Sequence, residues 1–354
     1  MDRSKKLQDL LVLIAEVAWE LGYAGADEVL ELLRRSGGEL RVDAEAPRIA
    51  SQIRQAKILA EGEDSADFVE YLHRELLRIG RRESLKAKGP SEPSEASTAA
   101  ARCDYVDVNG VKTYYEAHGS GDVVLVLHGG LTPIELLRAQ MMALSSQHTV
   151  IAPERPGHGR TPDVSGPITY ESMVDHTAGF MRALGLDAAH IVGWSDGGII
   201  GLFLAARRPA IVKSVAAISA PYNYDGNTPE FLELIRQETA ETFHAQAVEV
   251  YRALSPDGPE HWPVIFDKMK AMTLTPWGLT SDELSGIRAP TLICAAETDI
   301  VTHEQCLEMH RLIEDSQLCI LPGTTHLMPL EEAELLNPIL MRFLQGACSR
   351  ADST

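Results

Sequence analysis

The chain has 354 residues, 45% of them apolar and 23% charged, which is the composition of a globular protein with ample material for a buried core. Its formal charge is −19, and only 15 basic and 19 acidic residues precede residue 101, so most of the excess acid lies beyond that point. A surface of this sign repels phosphate backbones and anionic lipid, which argues against nucleic-acid or membrane-surface binding, and it also favours solubility.

Residues 1–82 read as helical throughout. Leu10, Ile14, Val17 and Leu21 recur at helical spacing, and Val29 to Leu33 follow before Gly37 and Gly38. A third helix is expected from Ala46 to Ala60, with Pro47 tolerated in its first turn and Gly62 as its stop. Asp64 or Ser65 caps a fourth, where Phe68, Leu72, Leu76 and Ile79 form one apolar stripe. The apolar run Leu10–Ile14 follows Lys5 and Lys6, but Glu16 and Glu20 interrupt it, so it is too short and too charged for a membrane span and makes a poor leader core. The stripes need cover, which a small bundle, a homo-oligomer surface or a brace against the rest of the chain would each supply. Residues 83–102 are rich in Ser, Pro, Glu, Lys and Ala and read as a flexible linker.

Beyond the linker, strands alternate with helices. Tyr105–Val108 and Val111–Tyr115 flank Asn109 and Gly110, the signal of a hairpin with a tight turn. Val123–Leu127, Thr149–Ala152, His190–Val192, Val212–Ile218, Thr291–Ala295 and Gln317–Leu321 are apolar runs of buried-strand type. A mostly parallel sheet of the α/β class, covered on both faces, is expected over residues 103–345. Residues 221–288 break the alternation with long helical stretches, Pro229–Leu254 and Pro259–Met272, and fit an inserted helical cap. Residues 346–354 read as a tail. The five cysteines, Cys103, Cys294, Cys306, Cys319 and Cys348, are odd in number and widely spaced with no C-x-x-C, so nothing suggests a disulfide framework or a zinc site, and a reducing cytoplasm is the simplest home.

Three strand ends carry chemistry. Gly193, Trp194, Ser195, Asp196 and Gly197 form G-x-S-x-G between an apolar strand and the helical run Gly198–Ala206. A serine on such a tight turn is pushed out of the sheet edge, with the positive end of the helix beneath it. A hydroxyl needs a base to become a nucleophile, and His326, after Gln317–Leu321, stands at the same edge. A carboxylate must hold that imidazole, and Asp299, just past Thr291–Ala295, is placed for it, with Glu297 the rival. The order Ser195, Asp299, His326 is that of a serine hydrolase built on a parallel sheet. For the oxyanion, one backbone N–H is expected from Asp196 and a second from the turn His128 to Leu131, with Gly130 favoured and Leu131 the alternative. His128 reads as a turn residue. Trp194 and Asp196 flank the nucleophile, so either could face substrate, and a carboxylate there would favour a cationic or hydrogen-bonding group.

The stretches LVLHGG, APERPGHGRTP, VGWSDGG, PTLICAAETD and LPGTTHLMPLE together resemble the α/β-hydrolase superfamily, in its cap-bearing esterase and lactonase-like branch, over about two-thirds of the chain. The GWSDGG elbow is similar to that of valacyclovir hydrolase-like proteins and related bacterial esterases. The resemblance implies a sheet of roughly eight strands and cleavage of a small-molecule ester or lactone without metal or cofactor. Glu154 departs from the pattern, which more often has aspartate there. Carbon–carbon bond hydrolysis and perhydrolysis also use an elbow serine and stay open. So does a ligand-sensing protein whose working part is the N-terminal helical module.

Overall fold

The computed structural model describes residues 102–351; the readings made for residues 1–82 and for the linker up to residue 101 lie outside the described residues. Strands β1 (Arg102–Val108) and β2 (Val111–His118) form the expected hairpin. Asn109 and Gly110 turn it with φ values of 53° and 87°, the positive angles a two-residue hairpin loop requires. The other strands are β3 (Val123–Leu127), β4 (Thr149–Pro153), β5 (Ala189–Trp194), β6 (Val212–Ile218), β7 (Thr291–Thr298) and β8 (Ser316–Thr325). They form one sheet in the order β1-β2-β4-β3-β5-β6-β7-β8, parallel from β4 to β8 and antiparallel at the β1 and β2 edge.

Continuous apolar runs are needed because both faces are covered. In β3, Leu125 and Leu127 join one core layer while Val124 and Val126 join the other, as the two-residue period of a strand dictates. Helices α1 (Arg138–Leu144) and α10 (Ala333–Ala351) cover the Val124 face, and α2 (Tyr170–Ala183) and α3 (Asp196–Arg207) cover the Leu125 face. Helix α10 runs on through the point where the sequence suggested a tail from residue 346, because Phe343, Leu344 and Ala347 prolong its buried stripe. No helix among the described residues is long and apolar enough to cross a membrane.

Between β6 and β7 the chain builds α4 (Pro229–Gln237), α5 (Ala245–Leu254), α6 (Trp262–Leu274) and α7 (Ser281–Ser285), and after β7 come α8 (His303–Leu312) and the short α9 (Met328–Glu331). The single stretch expected over Pro229–Leu254 is thus two helices, broken at 238–244. Phe243, in the break, packs its ring 5.7 Å from Trp262 and 5.3 Å from Phe266, and the Trp262 indole N–H donates to the Ala240 carbonyl at 2.7 Å. Asp163, in the loop between β4 and α2, accepts from His261 at 2.8 Å and Lys268 at 2.6 Å and ties α6 and the turn before it to that loop.

Candidate active site

Strands β3, β5, β6, β7 and β8 end at one sheet edge, and the loops leaving them carry the polar residues singled out by the sequence. At the end of β5 the backbone turns through Ser195 with φ 54° and ψ −122° into α3. This left-handed region is rare for a residue bearing a Cβ and costs on the order of 1–3 kcal/mol. The surroundings hold it there: Ser195 N–H donates to the Ile218 carbonyl on β6 at 2.9 Å, and the Ser195 carbonyl accepts from Gly198 and Ile199 at 2.8 and 3.0 Å. Close backbone approach explains the flanking glycines. A Cβ on Gly193 would meet the Gly197 carbonyl oxygen at 2.2 Å, and one on Gly197 would meet that of Leu127 at 2.1 Å. Backbone cannot swing aside as a side-chain tip does. Gly197→Ala is therefore expected to cost about 1–3 kcal/mol of stability, read as a lowered Tm; an unchanged Tm would contradict this packing.

His326 directly follows β8. Its Nε2 lies 3.0 Å from Ser195 Oγ and its Nδ1 lies 2.9 Å from Asp299 Oδ1. With Nδ1–H donating to the carboxylate, Nε2 is left to accept the serine proton. The Asp299 side chain is 0% exposed and that of His326 18%, so the relay is shielded on its acid side and open on its serine side. Asp299 Oδ2 accepts from the Ser219 hydroxyl at 2.6 Å and the Ala296 N–H at 3.0 Å, and Oδ1 also accepts from the Ile300 N–H at 2.8 Å. Burial alone would raise this carboxyl, but the bonds from His326, Ser219 and Ala296 outweigh it and hold Asp299 below its ordinary 3.8. A depressed folded value adds stability that is fully present above the unfolded value and is lost as pH falls through the folded one. The stability gap between wild type and Asp299→Asn should therefore narrow between about pH 5 and about pH 2 in denaturant titrations, whereas a constant gap would contradict the assignment.

The rival carboxylate, Glu297, is exposed and accepts from the Gly323 N–H at 2.5 Å, away from the imidazole. Glu331 accepts from the Thr325 N–H and hydroxyl at 2.9 and 2.7 Å and pins the histidine loop. Trp194 was one of the two flanking residues that could face substrate. Its indole is instead 3% exposed in the core, and its N–H donates to the His326 carbonyl at 2.8 Å, so it braces the loop from behind.

The turn after β3 lies against the elbow. A Cβ on Gly129 would stand 3.5 Å from Ser195 Cβ, and one on Gly130 would stand 2.4 Å from Asp196 Oδ2. Leu131 takes φ 52° to complete the turn. Asp196 opens α3, where its N–H has no preceding helical carbonyl to meet. Gly130 and Asp196 are thereby brought together next to Ser195. His128 stays within the turn: its Nδ1–H donates to the Gly129 carbonyl at 2.7 Å, and burial above all keeps the ring neutral. One oxygen of Asp196 is occupied, since Oδ1 accepts from the Tyr170 hydroxyl at 2.7 Å.

Arg155 went unnoticed in the sequence. It is 1% exposed and donates to the carbonyls of His128 at 2.6 Å and Gly129 at 2.8 Å, while its backbone N–H donates to His128 Nε2 at 3.2 Å. The signal available was its place two residues after β4, immediately before the Pro156-Gly157-His158-Gly159 turn. Glu154, the departure from the family pattern, is fully buried and receives Arg160 at 2.7 Å, and burial lifts its carboxyl to about 7. Ser219 was missed as well, although a polar residue directly after the apolar run Val212–Ile218 is the kind of feature that points to this edge.

The profile of the alpha/beta hydrolase family matches residues 123–338. The chain is 28% identical over 271 residues to the serine hydrolase BPHL of Homo sapiens, a match covering 73% of this chain and 90% of that one. Over 131 residues it is 34% identical to the dihydrolipoyllysine-residue acetyltransferase component of the acetoin cleaving system of Cupriavidus necator; that match covers 37% of this chain and 35% of the longer relative. Among solved structures, the meta-cleavage product hydrolase from Pseudomonas fluorescens IP01 shares the fold with a TM-score of 0.61 at 23% identity, covering 69% of this chain and 98% of that one.

Proposed function

The chain belongs to the alpha/beta hydrolase family, and from that premise we propose that it cleaves a carboxylic ester or lactone of a small molecule through an acyl-enzyme on Ser195. The observation that supports the reading most is the unbroken relay from Ser195 Oγ through His326, 3.0 Å away, to Asp299 at 2.9 Å. As Ser195 Oγ attacks the carbonyl carbon, its proton passes to His326 Nε2, and the ionised Asp299 offsets the charge arising on the ring. The carbonyl oxygen becomes an oxyanion, accepting from the N–H groups of Asp196 and Gly130. Collapse breaks the bond to the alcohol, which leaves with the proton from His326. Water then gives its proton to the same nitrogen and attacks the acyl carbon, and the second intermediate collapses to free the acid as Ser195 Oγ takes the proton back from His326. The braced histidine loop and the tethered turn hold these groups in place beforehand, so little reorganisation accompanies the reaction.

The test is labelling of the full chain with a fluorophosphonate, wild type beside Ser195→Ala, followed by a panel of esters and lactones. Labelling confined to wild type, with turnover on the panel, is the expected result. Equal labelling of both proteins, or no turnover of any ester or lactone, would refute it.

A further inference from the structure

The sheet edge opposite Ser195 carries a second cluster. Asp122 precedes β3, His190 is the second residue of β5, Lys213 the second of β6, and Cys348 lies near the end of α10. His190 Nε2 is 3.7 Å from Asp122 Oδ2 and 3.5 Å from Cys348 Sγ, and that sulfur is 3.8 Å from Asp122 Oδ2. Imidazole nitrogen, carboxylate oxygen and thiolate sulfur are the ligand types of zinc, at about 2.0–2.1, 2.0–2.2 and 2.3 Å respectively. Tetrahedral angles at those lengths set nitrogen and oxygen about 3.4 Å apart, with sulfur about 3.6 Å from each. The three atoms stand within about 0.3 Å of that triangle.

Neighbours aim two of the ligand atoms. His190 Nδ1 is 2.8 Å from Ser214 Oγ, and with Nδ1–H donating there the Nε2 lone pair faces the cluster. Lys213 Nζ donates to Asp122 Oδ1 at 2.7 Å, leaving Oδ2 toward the other two. Partners of this kind fix tautomer and orientation around bound metals. Beside the cluster, the buried His148 has a hydrogen-bond partner on neither ring nitrogen, and its ring centroid lies 6.4 Å from that of His190.

We propose that Asp122 Oδ2, His190 Nε2 and Cys348 Sγ bind a zinc ion, with water as the fourth ligand, stapling α10 to the starts of β3 and β5. On binding, the Cys348 thiol gives its proton to solvent as the zinc–sulfur bond forms. Ser195, directly after the end of β5, lies five residues on from His190, about 16 Å away, so the metal's role is structural, not chemical.

The experiment titrates cobalt(II), a spectroscopic substitute, into the chelator-treated full chain. Wild type is expected to show a thiolate-to-cobalt charge-transfer band saturating at about one equivalent and bleached by zinc, as a single Cys-containing site requires. Cys348→Ser should lose the band, Cys103→Ser should keep it, and Asp122→Asn should weaken zinc binding by about tenfold or more. A wild-type protein without the band, or a band surviving undiminished in Cys348→Ser, would overturn the assignment.

Discussion

Replacing Ser195 by alanine is expected to lower kcat on a cleaved ester by about 10⁴- to 10⁶-fold while leaving the fold intact. On the proposed mechanism the change removes the one atom that becomes bonded to the acyl carbon and leaves His326 with no serine proton to accept. Stability should change little, because alanine has the same Cβ and meets the same strained φ of 54°. The remaining activity would come from the backbone donors of Asp196 and Gly130, which still stabilise charge when water attacks directly. Since serine and histidine act as a unit, adding His326→Ala to Ser195→Ala should cost almost nothing more. Steady-state kinetics on both single variants and the double variant read this directly. A loss below about 100-fold, or losses that multiply, would remove Ser195 from the nucleophile's role.

Arg155→Leu is expected to be the most destabilising change near the site. Its guanidinium, drawn down to about 10 chiefly by burial, still carries its charge at neutral pH and holds two carbonyls of the turn that leads to Gly130. Leucine fills part of the volume but leaves the buried His128 carbonyl without its guanidinium donor, at about 1–3 kcal/mol, leaves the Gly129 carbonyl to His128 and Thr132 alone, and takes a cation away from Asp196. A total near 3–5 kcal/mol corresponds to a fall in Tm of about 6–20 °C for a domain of this size. Turnover should fall by about 10²- to 10³-fold beyond any loss from unfolding, because the turn no longer holds Gly130 at the developing oxyanion. Thermal melts together with kcat measured well below the new Tm separate the two effects. A variant that melts with wild type and keeps its turnover would show that the turn needs no such anchor.

Much of the architecture was legible because burial on both faces forces continuous apolar strands. Val123–Leu127 and Val212–Ile218 were read with their ends in place, and Asn109 with Gly110 marked the hairpin. Strand ends with polar neighbours proved harder: β8 runs on to Thr325, since pairing with β7 continues past the apolar core. The break at 238–244 escaped because Phe243 leaves the helical register to reach Trp262 and Phe266, a tertiary preference that local periodicity does not register.

Ser195, Asp299 and His326 could be located from sequence because each follows a strand, and a parallel sheet brings all its strand ends to one side. Chain order and strand position were sufficient information. What holds those residues could not be found that way. Arg155 grips the turn carrying Gly130, Trp194 turns inward to the His326 carbonyl, and Ser219 completes the shell of Asp299. Asp122, His190 and Cys348 likewise meet at the far edge across more than half the chain with no motif to announce them. A strand's hydrophobic period says which way a residue faces, but side chains from separate strands and loops become partners only through sheet order and packing, which the folded chain alone sets.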